Sequence, residues 1–279
     1  NLIGFLSIDA KDAGWGLLHG DKIEVLSQTG SGVAGKHRQG GQSAKRFQKL
    51  REMELSYFYN RVAQTTREYF IDIYPVKGLI ISGPGPTKED FINGNYLEYR
   101  LQNNIINTID ASYSGAEGIR EAFAKSGDIL GNFRLVEEKK LVEDLFREIN
   151  TNTGKGSYGL EEVIEFLKNN VVQILLITDN TNLHRVEAEC KRCKKIQEDI
   201  VERQLVIPKK TEYKNNPCPD CKAMDMEVNE QDIVDYLQIL AAKTGTQLEV
   251  ISGSAEHGNM LGSLGKIGAI LRYNPGHTK

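Results

Sequence analysis

Residues 40–69 read GGQSAKRFQKLREMELSYFYNRVAQTTREY. Apolar side chains recur at the spacing of one helical face, from Phe47 through Tyr57 to Tyr69. Ser43 is a suitable N-terminal cap, so the pattern predicts one long helix that begins there. The preceding segment, residues 30–41, contains five glycines and is predicted to be an exposed loop. The sequence therefore places a glycine-rich loop at the start of a stiff helix.

The residues on either side of this stretch predict a β-sheet. Apolar runs at residues 2–8, 14–18 and 24–26 are separated by turn-forming residues, which is typical of a β-meander. After the helix, Leu79-Ile80-Ile81 predicts a buried strand that ends at the breaker run 82–86. Further helices are predicted at residues 96–107 and 115–124.

The second half of the chain alternates helices and strands. Helices are predicted at residues 137–149, 160–169, 231–243 and 259–264, and strands at 171–177, 247–251 and 269–273. Such alternation favours an α/β sandwich. We place a domain boundary near Asn132, which gives domains 1–132 and 133–279. The predicted fold class is therefore α/β, with two αβ domains.

Composition limits the classes of protein that this chain can be. Of its 279 residues, 39% are hydrophobic and 26% are charged, which fits a globular protein with a core and excludes a disordered chain. No apolar run is long enough to span a bilayer and no signal-peptide pattern opens the sequence, so we expect a cytoplasmic protein without membrane contact. Asn1 already lies beside a predicted core strand, and we expect further residues upstream.

The charge of the glycine-rich loop differs from that of the whole chain. The net charge is −3, yet residues 25–51 contain no acidic side chain. The same window carries six cations, Lys36, Arg38, Lys45, Arg46, Lys49 and Arg51. A solvated helix face of mixed charge would interleave Glu and Asp with them. Phosphate is the commonest partner for such a patch, so these residues are candidate RNA contacts, together with His37.

Gly40 and Gly41 can adopt backbone conformations that other residues rarely adopt. Without a Cβ atom, each can adopt positive φ and let the backbone approach a crowded target closely. The alternative is an ordinary flexible turn, and the tripeptide by itself would be weak evidence. Its position at an acid-free tip on a long helix favours the functional interpretation.

Two pairs of cysteines form the other informative pattern. Cys190-Lys-Arg-Cys193 and Cys218-Pro-Asp-Cys221 are separated by 24 residues. Four thiolates suit a tetrahedral zinc ion with no open position for catalysis, so we predict a structural zinc site. A thioredoxin-like redox pair and two disulfides are the alternatives. Neither has its expected context, because no redox unit surrounds the pairs and nothing indicates secretion. The predicted insertion covers about residues 186–227.

Residues 36–51 resemble the catalytic loop and helix of class-one release factors of the archaeal and eukaryotic type. The resemblance continues through Tyr69-Phe70 and residues 78–81, 137–141 and 153–159, and the tail GKIGAILRY at 265–273 is similar to the family's C-terminal signature. There are two departures. Arg38-Gln39 stands where family members often have Gly-Arg, and no Asn-Ile-Lys-Ser segment is present, so we expect the stop-codon-reading domain to lie outside this chain.

This resemblance implies that the chain promotes hydrolysis of the ester in peptidyl-tRNA. The reaction needs a positioned water molecule and stabilisation of a developing oxyanion. We expect the backbone N–H of Gln42 to be the donor, while its side chain selects water. Gly40, Gly41 and Gln42 are thus the predicted catalytic residues. Ribosomal RNA would complete the site, so the isolated chain should be nearly inert.

The resemblance also implies partners and a fold for the second domain. That domain resembles ribosomal proteins that bind kinked RNA, and in release factors it docks other proteins. The implied partners are the ribosome with its peptidyl-tRNA, a translational GTPase and an ATP-binding-cassette recycling factor. His257 is expected to be a surface or loop residue without a role.

Two other functions compete with termination. The first is a non-catalytic ribosome-rescue factor that shares the C-terminal domain, and the second is an RNA-binding module with a zinc knuckle. The Gly-Gly-Gln loop favours the termination factor, because rescue factors lack it.

Overall fold

The computed structural model describes residues 2–20, 22–33, 44–151 and 153–276. The chain divides into two compact units, Asn1–Phe133 and Arg134–Lys279. The division falls inside one helix, Gly127–Asn150.

The first unit is built on a five-stranded sheet. Its strands are β1 (Leu2–Ile8), β2 (Asp12–His19), β3 (Lys22–Gly30), β4 (Gly78–Gly83) and β5 (Ile105–Asp110), in the order β3-β2-β1-β4-β5. The first three strands are antiparallel neighbours, which confirms the predicted meander, while β4 and β5 run parallel to β1. Because β1 and β4 lie in the middle of the sheet, almost all of their side chains are buried.

Helices cover this sheet. They are α1 (Ala44–Arg67), α2 (Thr87–Asn93), α3 (Tyr99–Asn103), α4 (Gly115–Lys125) and the beginning of α5 (Gly127–Asn150). One π-helical turn, Glu68–Ile73, continues α1. The indole N–H of Trp15 in β2 donates a buried hydrogen bond of 2.8 Å to Thr66 Oγ1, which fixes the end of α1 on the sheet.

The prediction of a helix at residues 96–107 is wrong. Only Tyr99–Asn103 is helical, and the chain then enters β5. Ile105 and Asn107 face Leu79 and Ile80 of β4 across a parallel ladder. A short apolar run is compatible with both a helix and a strand. Here residues 105–110 form a strand because they pair with β4, which lies more than 20 positions away in the chain.

The second unit contains two sheets. The central sheet has β6 (Gly156–Tyr158), β7 (Val172–Thr178), β11 (Gln247–Ile251) and β12 (Ile267–Leu271), in the order β11-β7-β12-β6. The other has β8 (Leu183–Cys190), β9 (Ile196–Glu202) and β10 (Met226–Asp232), in the order β10-β8-β9. The strands of this second sheet were not predicted from the sequence pattern.

The helices of the second unit enclose the central sheet. They are α6 (Leu160–Lys168), α7 (Val206–Asn215), α8 (Ile233–Thr244) and α9 (Glu256–Ser263), besides the second half of α5. Residues of α6 and α8 pack with Leu175 and Ile177 in one core cluster. Residues of α5 and α9 pack with Leu176 in another. Because neighbouring residues of β7 belong to different clusters, the sheet is covered on both faces, and the predicted mixed α/β fold is confirmed.

Candidate functional site

Helix α1 extends beyond the body of the first unit. Side chains from Lys45 to Leu50 are all exposed, and the first fully buried side chain described in the helix is that of Phe58. Leu55 is the first side chain of the helix that packs against the core, so at 1.5 Å of rise per residue the part before it is about 15 Å long. Further along the helix, Arg61 Nη2 donates a hydrogen bond of 2.7 Å to the carbonyl of Gly30 at the end of β3. The base of the helix is thus fixed while its start reaches into solvent.

The predicted RNA-binding residues fall into two groups. Lys36, His37 and Arg38 lie outside the described residues, as do the predicted catalytic residues Gly40, Gly41 and Gln42. The other four, Lys45, Arg46, Lys49 and Arg51, lie on the first two turns of α1. Three of these are exposed, and Arg51 is half-buried.

The charge at the start of α1 is unusual for a helix. Its first turn has no acidic residue and contains Lys45 and Arg46. The N-terminal end of a helix carries a partial positive charge, so cations there destabilise the helix. Exposed apolar side chains interleave with them, namely Phe47, Leu50 and Met53. This surface is therefore suited to an anionic partner that also offers flat apolar faces, as RNA does.

The four cysteines come together at one end of the small sheet in the second unit. Each pair lies in a tight turn with the same backbone pattern. The N–H of Lys194 donates to the carbonyl of Cys190 at 2.8 Å, and the N–H of Lys222 donates to that of Cys218 at 3.0 Å. Lys194 and Lys222 both have positive φ, at 63° and 61°. The two turns are thus equivalent knuckles, each of which directs two sulfurs toward one point.

The sulfur positions suit a tetrahedral metal ion. All four Sγ atoms lie within 4.8 Å of one another. The Sγ atoms of Cys190 and Cys221 are 3.5 Å apart, as are those of Cys193 and Cys218. Four sulfurs at about 2.3 Å from a central ion would be about 3.8 Å apart, so little movement would be needed to bind one.

Ionisation of the thiols is uneven. The backbone N–H of Cys193 is the main cause that lowers the pKa of Cys190 to about 7. The backbone N–H of Lys195 acts to lower the pKa of Cys193 too, but burial and the neighbouring sulfurs outweigh it and raise that pKa to about 12. Cys190 therefore loses its proton readily, and its negative charge then opposes loss of the proton from Cys193. A bound cation would reduce this repulsion between the two thiolates.

The insertion that carries the cysteines is larger than predicted. Its sheet runs from Leu183 to Asp232, whereas the sequence pattern predicts about residues 186–227. Val186, Ala188, Val206 and Met226 pack with Cys190 and Cys218 in a small core. The cysteine cluster thus closes one end of a core that has few large side chains.

His257 differs from the sequence-based expectation. It is not a surface residue, because only 7% of it is exposed. Its Nε2 lies 3.2 Å from Oε2 of the buried Glu138, which also accepts a hydrogen bond of 2.8 Å from the N–H of Ser252. The pair joins α5 to the start of α9. No local pattern could have indicated it, because the two residues are 119 positions apart.

Among the described residues, none of the helices is both long and apolar enough to cross a membrane.

Comparison with known proteins gives matches over nearly the whole chain. The family eRF1 domain 2 matches residues 2–132, and the family eRF1 domain 3 matches residues 135–275. Peptide chain release factor subunit 1 of Thermococcus onnurineus is 37% identical over 275 residues, and that of Pyrococcus abyssi is 36% identical over 275 residues. In both cases the match covers 97% of this chain and 66% of the relative. The chain therefore spans slightly less than two thirds of the length of these relatives.

A solved structure has a similar fold. It is described as a model of ribosome-bound archaeal Pelota and ABCE1, and it aligns with a TM-score of 0.57 and 23% identity. The alignment covers 97% of this chain and 61% of that one. The arrangement of helices and strands is thus shared with that protein.

Proposed function

The chain belongs to the eRF1 family, and on this premise we propose that it is part of a translation termination factor whose Gly40-Gly41-Gln42 loop promotes hydrolysis of peptidyl-tRNA. The observation that carries the proposal is the position of the tripeptide, directly before the exposed, basic start of α1. The tripeptide itself lies outside the described residues, so its role rests on sequence and on the helix that follows it.

The exposed start of α1 supports an RNA-lined target. Lys45 and Arg46 lie in the first turn of α1, where they oppose the helix dipole, so their presence costs helical stability. Neutralisation of phosphate would offset that cost and release counterions. A helix that extends about 15 Å from the core could carry the loop into a narrow ribosomal site.

The proposed chemistry needs no activated nucleophile from this chain. Water attacks the ester carbonyl, and negative charge develops on the carbonyl oxygen. The backbone N–H of Gln42 would donate to this oxygen, since Gly40 and Gly41 leave room for close approach. The Gln42 side chain would shape the pocket for water. Ribosomal RNA would supply the remaining groups, so the reaction depends on the ribosome.

A release assay with the full-length protein tests this function. We expect Gly41→Ala to slow peptide release from programmed ribosomes by about 100- to 1000-fold, which is the usual cost of losing one oxyanion donor. Ribosome binding should not change. Gly35→Ala makes the same change in the same segment away from the tripeptide and should release peptide normally. Normal release by the Gly41 variant would rule out the proposed catalytic loop.

We also propose that Cys190, Cys193, Cys218 and Cys221 hold a zinc ion. The close sulfurs and the two equivalent knuckles support this site. Zinc there would be structural, because four thiolates fill a tetrahedral shell and leave no position for substrate.

The proposed partners follow from the family and from the shared fold. They are the ribosome, a translational GTPase that delivers the factor, and an ATP-binding-cassette protein that recycles the ribosome. The fold shared with a ribosome-bound Pelota structure that contains ABCE1 supports the first and the last of these.

That shared fold also favours a second candidate, a ribosome-rescue factor that does not cut the ester. The release assay separates the two functions. A rescue factor would bind stalled ribosomes and leave peptidyl-tRNA intact, whereas a termination factor would free the peptide.

A further inference from the structure

A groove in the second unit lies outside every site described so far. It has a volume of about 570 Å³ and runs between α6 and β9. Ile164, Ile200 and the ring of Tyr236 provide its apolar lining. A groove of this size can hold several side chains of a bound segment.

The groove follows the free edge of a strand. In the sheet order β10-β8-β9, β9 is an edge strand, and within the described part of the chain it pairs only with β8. Glu198, Asp199 and Ile200 are consecutive residues of β9, and all three line the groove. Successive side chains of a strand point to opposite faces, so a groove that touches all three runs along the strand's edge. An edge presents unpaired backbone N–H and C=O groups to a ligand.

Among the charged side chains that line the groove, those without an ion-pair partner in the described structure are acidic. Glu198 already has partners, since Lys168 Nζ lies 2.9 Å and Arg185 Nε 2.7 Å from its carboxylate. Asp199 likewise lies 2.8 Å from Lys209 Nζ. Glu161 and Glu165 also line the groove and are exposed one turn apart on α6.

These two carboxylates both face solvent. Neither Glu161 nor Glu165 has a cationic partner among the residues that the structure describes. A cationic ligand in the groove would therefore find two free partners, whereas an RNA phosphate would be repelled.

We propose that this groove binds an extended, basic segment of a partner protein. The segment adds to the free edge of β9 as a further strand and places Lys or Arg side chains against Glu161 and Glu165. Its alternate apolar side chains pack on Ile164 and Tyr236. Main-chain hydrogen bonds to the edge provide affinity, and the carboxylates select the charge of the partner. This surface is separate from the chemistry of peptide release.

Titration of the methyl-labelled full chain with one probe peptide tests the proposal. The probe is acetyl-Lys-Val-Lys-Val-Lys-Val-Lys-amide, which alternates basic and strand-forming residues. We expect its binding to change the methyl resonances of Ile164 and Ile200. Glu165→Lys should weaken binding about five-fold, which corresponds to the loss of about 1 kcal/mol from one exposed ion pair. A peptide N-methylated at every residue should fail to bind, because it has no backbone N–H left to donate to the strand edge.

Glu227→Lys is the matched control. Glu227 is exposed on β10, so this variant makes the same change of charge outside the groove and should bind the probe like the parent protein. Equal weakening in both variants would indicate a general charge effect and overturn the proposal. It would also be overturned if the N-methylated peptide bound normally or if a ten-nucleotide oligouridylate gave the same methyl changes. The same holds if these methyls shifted with protein concentration alone, since that would identify a second copy as the occupant.

Discussion

The Sγ atoms of Cys190 and Cys221 lie 3.5 Å apart although the two residues are 31 positions apart in the chain. Cys193 and Cys218 make the equivalent contact at the same distance. Each contact joins a sulfur of one knuckle to a sulfur of the other. The two contacts therefore hold the knuckles together at one end of the second unit's small sheet.

Removal of metal should loosen this region selectively. Freshly purified protein is expected to contain one zinc ion per chain by elemental analysis. A chelator should then speed amide hydrogen exchange in β8 and β10, because the small core between them is poorly stabilised without the ion. Exchange in β7 should stay slow. Fresh protein without bound metal would contradict the proposed site.

Lys49 should contribute to ribosome binding through charge. Lys49→Gln is expected to weaken association of the full-length protein with ribosomes and to reduce the slope of log affinity against log salt by about one. The control is Lys139→Gln, whose exposed ammonium lies on α5, 3.9 Å from Glu143. Binding measured at several salt concentrations checks this. An unchanged slope for the Lys49 variant would remove it from the RNA contacts.

Thr66→Val should destabilise the first unit. The indole N–H of Trp15 would remain buried without its acceptor, which typically costs about 1–3 kcal/mol. Because Trp15 is the only tryptophan, its fluorescence during urea unfolding reports on this unit. Thr65→Val is the matched control on the same helix, where we expect a change within about 0.5 kcal/mol. Equal stability of the two variants would show that the bond contributes little.

Gly118 is predicted to tolerate no side chain. A Cβ atom there would lie 2.1 Å from Ser7 Oγ and 2.4 Å from the carbonyl oxygen of Tyr113. Gly118→Ala should lower the free energy of unfolding by about 1–3 kcal/mol, because α4 would have to move away from the sheet. A Cβ atom at Gly131 would have no other atom within 4 Å. Gly131→Ala should therefore stabilise α5 by about 0.5–1 kcal/mol. Denaturant unfolding of both variants measures the contrast.

The pair formed by Lys88 and Asp110 should make the first unit sensitive to acid. The buried ammonium of Lys88, 2.6 Å away, donates a hydrogen bond that lowers the pKa of Asp110. Because the pKa of Asp110 is lower in the folded protein, the pair stabilises the fold fully at a pH above the pKa of an Asp in the unfolded chain, about 3.9. This stabilisation is lost as the pH falls through the pKa of Asp110 in the folded protein.

Asp110→Asn should therefore show a shallower loss of stability than the parent protein as the pH is lowered below about 4. Asp72→Asn is the control, since it makes the same substitution at an exposed carboxylate that lies outside the pair, 3.9 Å from the exposed Arg67. Urea unfolding followed by fluorescence at several pH values provides the comparison. Identical profiles for Asp110→Asn and the parent would contradict the role of the pair.

The family resemblance stated from residues 36–51 and from the C-terminal tail is confirmed by the matches to eRF1 domains 2 and 3. Those segments were informative because their patterns arise from residues that are close together in the sequence. Helical spacing after Ser43, alternating apolar runs and two Cys-x-x-Cys turns depend on neighbours a few positions away. The sequence by itself therefore determined the long helix, the meander and the alternation of the second domain.

Only the tertiary structure decided which distant segments meet. Residues 105–110 became a strand because β4 offered an edge, and His257 is buried where its ring meets the carboxylate of Glu138. The alignment of the two knuckles and the free edge of β9 beside α6 have the same origin. Contacts of this kind bring together residues far apart in the chain, and their free energy comes from burial and pairing that no short stretch of sequence contains.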